Sequence, residues 1–192
     1  MSIPFQEVIC VFDCLETARL HCWKQPLRHN YLVFYDDDGN IVGQFHGLAQ
    51  DPTGSFKRLG RSSDYLTVVP DDRQDLYSQG QPEQMLWQGS YDEGTARWQA
   101  ATDAHDQINS RRLTYNPLGG DLNGPRDWDA PVPPVMAGNS NSANRTLVDA
   151  MGLRMPSMPY MAPGIENPLL RQQEIEQILR NNGLPIPKGG LF

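Results

Sequence analysis

One stretch limits the possible folds more than any other. Two β-rich segments, residues 29–35 and 41–48, flank the turn-forming run Asp36-Asp37-Asp38-Gly39-Asn40. Asp, Asn and Gly tolerate the backbone that tight turns require, so the pattern predicts an antiparallel hairpin. A hairpin needs partner strands and a cover. Further strands are expected at residues 7–12, 66–69 and 85–88, the middle one ended by Pro70. Residues 93–108 place Ala96, Ala100, Ala104 and Ile108 at helical spacing. Residues 168–182 gather Leu169, Leu170, Ile175, Ile178 and Leu179 on one face, with Asn167 as cap, Pro168 as opening residue and Gly183 as stop. The inventory is α+β: a small antiparallel sheet with packed helices. A single domain is expected over 1–165. An amphipathic helix and tail follow over 166–192, docking on that domain or on a protein partner.

The bulk properties narrow the function. The chain has 192 residues and a formal charge of -7, which argues against a nucleic-acid partner, because such partners need a basic stripe. No apolar run has the length of a membrane span. Glu7, Asp13 and Glu16 interrupt the N-terminal stretch, so a cleaved signal peptide is not expected. The expected location is the cytoplasm, or the outside by a route without a cleaved leader. Cys10, Cys14 and Cys22 are odd in number and lack a partner cluster, which points to reduced thiols rather than a disulfide framework or zinc site. Asp36 to Asn40 does not make a calcium loop, since the twelfth position from Asp36 holds Gly47, not Glu. No metal and no cofactor are expected.

The run Gly138-Asn139-Ser140-Asn141-Ser142 precedes a helix-like stretch ending at Gly152. The first turn of a helix offers unpaired N–H groups and the positive end of its dipole, a setting suited to a nucleophile. Ser142 or Asn141 serves equally well as a plain helix cap. Two of the four histidines, His29 and His46, lie on the hairpin. With a four-residue loop, Tyr35 faces Asn40 and His29 faces His46, close enough for a base and its orienting group. With a two-residue loop that register is lost, and the pair reverts to two unrelated edge histidines.

A His at a strand start, a polar residue on the next strand and a later Asn-nucleophile pair opening a helix resemble the circularly permuted papain-like proteins. These include relatives of the NlpC/P60 peptidases and of the lecithin–retinol acyltransferase type. The residues that carry the resemblance are His29-Asn30-Tyr31-Leu32-Val33, Gln44-Phe45-His46-Gly47, and the pairs Asn139-Ser140 and Asn141-Ser142. Residues 108–109, Tyr115 and 138–152 extend it toward bacterial proteins of this sort, toxin-like effectors among them. The resemblance implies a hydrolase or acyltransferase acting on an amide or ester. Ser142 would attack, His29 would take its proton, His46 would orient His29, and Asn139, Ser140 and Asn141 would help bind, with plain capping the alternative for Asn139 and Asn141. The chain departs from the pattern by holding Ser where a Cys is expected, and Ser needs a base during attack. Two other readings follow. The scaffold is a non-catalytic binding protein, such as a pseudoenzyme or an accessory component of a bacterial secretion or toxin system, recognising a partner through the groove near Ser142 and the Met-Pro stretch 155–163. Alternatively Cys14, in an Asp13-Cys14 pair ahead of a possible helix, is the nucleophile.

Overall fold

The structure, a computed structural model, describes residues 5–13, 29–36, 38, 41–57, 59–71, 83–119, 137–156 and 162–187. The strands are β1 (Phe5–Asp13), β2 (His29–Asp36), β3 (Ile41–Gln50), β4 (Phe56–Lys57), β5 (Tyr65–Asp71), β6 (Glu83–Gln88), β7 (Thr114–Tyr115) and β8 (Ala137–Gly138). The helices are α1 (Tyr91–Ser110), α2 (Ser140–Ala150) and α3 (Gln172–Asn181). One sheet runs β6-β1-β2-β3-β5-β7-β8, with β4 also pairing with β3. The α+β reading holds. The sheet is mixed rather than antiparallel throughout, because β7 and β8 pair in parallel.

The hairpin forms where expected, but its register differs. Tyr31, not His29, faces His46, and Tyr35 faces Ile41 rather than Asn40. Two departures add up: next to the turn Tyr35 already pairs one residue beyond the expected partner, and an irregularity between Phe34 and Tyr35 shifts the count by one more.

Alternation along β3 sorts its side chains onto two faces. Gly43, Phe45, Gly47 and Ala49 face the helices. A Cβ on Gly43 would meet Trp98 of α1, and one on Gly47 would meet Ser140 and Ala143 of α2. The main core is built on this side, from Leu32, Phe34, Phe45, Leu66 and Val68 of the sheet and Ala100, Ala104, Ile108, Leu147 and Val148 of the helices. Tyr31, Val33 and Tyr35 form a second cluster on the other face, with Ile41 against it.

The last helix begins later than its Asn-Pro pair suggested, at Gln172 after Arg171, whose N–H donates to the Glu174 carboxylate. Leu169 and Leu170 are buried ahead of it, and the Leu169 N–H donates to Thr146 Oγ1 at 2.7 Å. That bond holds these residues out of the helical path. Ile175, Ile178 and Leu179 join the main core, so the apolar face of α3 is covered by the chain itself. Of the two dockings expected for this helix, on the rest of the chain or on a partner, the structure shows the first. No helix among the described residues is long and apolar enough to cross a membrane.

Candidate functional site

Asn139, not Asn141 or Ser142, is the cap of α2. Its Oδ1 accepts from the N–H groups of Asn141 and Ser142 at 2.9 and 3.0 Å. Its Nδ2 donates to the carbonyls of Pro117 and Pro163 at 3.1 and 2.8 Å. One amide therefore closes the helix and ties two loops to it. Asn141 adds two more ties: its Nδ2 donates to the Pro163 carbonyl at 3.2 Å, and its Oδ1 accepts the Asn30 N–H at 3.2 Å. The start of β2 is thereby joined to the first turn of α2.

Ser142 is fully buried, and its hydroxyl donates to the Gly164 carbonyl at 3.0 Å. Asn139 Oδ1 stands 3.3 Å from the same hydroxyl. Gly119 and Gly164, both with positive φ, lock over this turn. A Cβ on Gly119 would meet Gly164 Cα, and one on Gly164 would meet Ser142 Oγ. Among the described residues, these two glycines close directly over the buried Ser142, where a groove was expected. Of the Met-Pro stretch, residues 157–161 lie outside the described residues.

Ser140 is also buried, next to Tyr115. Burial pushes the Tyr115 phenol above its ordinary range, while the Gly60 N–H and the Ser140 hydroxyl, both hydrogen-bonded to it, pull the other way.

The histidines do not assemble with Ser142. His46 lies on the face of β3 opposite the helices, stacked on Tyr31 with ring centroids 4.4 Å apart and with Nε2 2.9 Å from Gln44 Oε1. The sheet separates it from α2, so the proposed Ser142–His29–His46 relay is corrected at His46. His29 begins β2, one residue before Asn30, and its side chain lies outside the described residues. Cys14 lies outside them as well. Among the described residues no group of three or more His, Cys, Asp or Glu side chains could hold a metal ion.

Sequence reasoning missed two features beside the site. Asn109 of α1 acts as a false strand residue against Val68: its Nδ2 donates to the Val68 carbonyl and its Oδ1 accepts the Val68 N–H, each at 2.8 Å. Asp149 of α2 is buried, with Oδ2 accepting from Arg145 Nε at 2.7 Å. A lone Asn or Asp inside a helix gives no sequence signal for either role.

No protein-family model, curated protein or solved structure matches the chain.

Proposed function

We propose that this chain is a non-catalytic binding protein on a permuted papain-like scaffold, of the accessory or pseudoenzyme kind used in bacterial secretion and toxin systems. The observation that carries the reading is the state of Ser142. Its hydroxyl is sealed from solvent and engaged with Gly164, whereas a nucleophile must reach an incoming carbonyl and hand its proton to a base. The scaffold part of the reading is supported by the Asn30 to Asn141 hydrogen bond, which joins a strand start to a helix start as such a site requires. Exposed apolar surface lies elsewhere. Phe56 and Tyr65 both pair with Gln50 and so share one face of the sheet, with the Arg112 guanidinium 5.2 Å from the Tyr65 ring centroid.

A fluorophosphonate probe for activated serines, together with a panel of ester and peptide amide substrates, tests this. The full chain should show no labelling and no turnover. Labelling that disappears in Ser142→Ala would establish a serine nucleophile and end the binding reading.

One observation favours a hydrolase as the second reading. Position 29 precedes Asn30, whose N–H donates to Asn141 Oδ1 in the first turn of α2. In that case, Ser142→Ala and His29→Ala should abolish labelling together, and His46→Ala should not.

A further inference from the structure

We propose that Phe56, Leu59, Tyr65 and Arg112 form a docking surface for a peptide segment of a partner protein that carries both carboxylates and apolar side chains. The inference rests on the binding reading above and names the chemistry of the partner. Six large apolar side chains are exposed among the described residues, and three of them, Phe56, Leu59 and Tyr65, fall between positions 56 and 65. Phe56 on β4 and Tyr65 on β5 flank Gln50 of β3, so both rings leave the same face of the sheet. Arg112 is a second, independent observation. It follows the cap residue of α1 and has φ +50, a left-handed backbone that favours glycine. At the same position after α2 and α3 the chain uses Gly152 and Gly183, with φ +71 and +67. Only α1 of the three keeps a side chain there. That side chain carries its guanidinium to 5.2 Å from the Tyr65 ring centroid.

The charge around the rings decides the occupant. Lys57 is answered by Asp51 at 3.0 Å and by Asp64 at 4.0 Å. Arg112 is exposed and pairs with no carboxylate among the described residues. The same holds for Arg61, in the turn closed by the Asp64 N–H that leads into Tyr65. On a chain of net charge -7, two arginines without carboxylate partners thus stand in the segments that carry the exposed rings. A peptide offering a carboxylate or two among apolar side chains answers both features, since the apolar groups cover the rings and the carboxylates meet the guanidinium groups. A second copy of the chain would bring the same unpaired arginines to the interface. A nucleic acid would bring a phosphate at every nucleotide against Asp51, Asp64 and the negative charge of the whole chain. So few side chains suit a weak, transient contact.

Selection from a displayed library of short random peptides on the full chain tests the surface. Enriched peptides should combine Asp or Glu with apolar side chains. Synthetic copies should bind more weakly as salt is added and should shift the NMR amide signals of Phe56, Tyr65 and Arg112. Arg112→Gly is the decisive variant. Glycine suits φ +50, so the chain should be at least as stable as the parent, yet its affinity for the selected peptides should fall about tenfold or more. Phe56→Thr, an exposed change that keeps a strand-forming residue, should cost a similar factor. The proposal is overturned if no peptide is enriched, if the enriched peptides are neutral or basic, if their signals map elsewhere, or if Arg112→Gly binds them as the parent does. Displacement of the peptides by a single-stranded oligothymidylate would overturn it in favour of a nucleic-acid partner. Serine labelling is measured separately, so losing this surface leaves the non-catalytic reading standing, and labelling at Ser142 ends that reading whatever the peptides do.

Discussion

The hydroxyl of Ser142 donates to the carbonyl of Gly164, and a Cβ on Gly164 would stand 2.6 Å from that hydroxyl oxygen and 2.7 Å from Gly119 Cα. Gly164 has φ +86, so Ala there adds backbone strain to the clash. Each contribution is of order 1–3 kcal/mol. Gly164→Ala should therefore lower stability by roughly 2–4 kcal/mol. Ser142→Ala removes one buried hydrogen bond, and its cost is about 1 kcal/mol. Gly164 keeps the Asn167 N–H as a second donor, so its carbonyl is not orphaned. Urea melts of the two variants check the order. Equal midpoints would show that the two segments do not interlock.

Asn139 separates capping from tethering. Asp caps helices as well as Asn does in general. Here the Nδ2 that Asp lacks donates to two carbonyls, and Asn139 is 2% exposed. Asn139→Asp would turn a buried carboxylate oxygen toward those carbonyls. A loss of about 2 kcal/mol or more is expected, with faster proteolysis at the 117–119 and 162–166 loops. A stability within about 0.5 kcal/mol of the parent would mean that only the cap matters at this position.

The hairpin, α1, α2 and the stops at Gly152 and Gly183 were legible because they rest on local signals: turn chemistry, periodicity and glycines with positive φ. The register was not, because a run of Asp, Gly and Asn does not fix its own loop length, and the irregularity between Phe34 and Tyr35 adds a further shift. Which histidine could meet Ser142 was readable in part. Gly43, Gly47 and Ala49 alternate with Gln44, His46 and Gln50, and small residues mark the face where a helix backbone approaches. His46 stands on the other parity and so faces away from α2. The tethering role of Asn139, unlike its capping, was hidden for another reason. Its partners, Pro117 and Pro163, are distant in sequence and offer only backbone carbonyls.

Asp51 offers a pH test away from the helices. Its carboxylate accepts from the Thr53 N–H, the Thr53 hydroxyl and the Ser55 N–H, and Lys57 Nζ lies 3.0 Å away. The Thr53 hydroxyl leads these in holding the carboxyl well below the usual range. A depressed acid stabilises the fold above its ordinary pKa, and that contribution fades as pH falls through the folded value. In a carboxyl-resolved NMR titration, the Asp51 midpoint should lie below the ordinary carboxylate range. Thr53→Val should raise its midpoint, and an unchanged midpoint would remove the hydroxyl from the account.

Gly47 tests how closely α2 must lie on β3. A Cβ there would stand 2.8 Å from Ser140 Cα and 3.0 Å from Ala143 Cβ, and only the second neighbour can be trimmed. Gly47→Ala should cost about 2–3 kcal/mol, since a helix backbone has to retreat. Ala143→Gly alone should cost about 1 kcal/mol from helix propensity. Combined, the two should cost less than their sum by roughly 0.5–1 kcal/mol, because removing the Ala143 methyl relieves one of the two contacts and leaves the Ser140 contact in place. The retreat also moves Ser140 relative to Tyr115, so the phenol titration in Gly47→Ala should differ from that of the parent chain. Strict additivity with an unmoved Tyr115 would show that the sheet, not the helix, gives way.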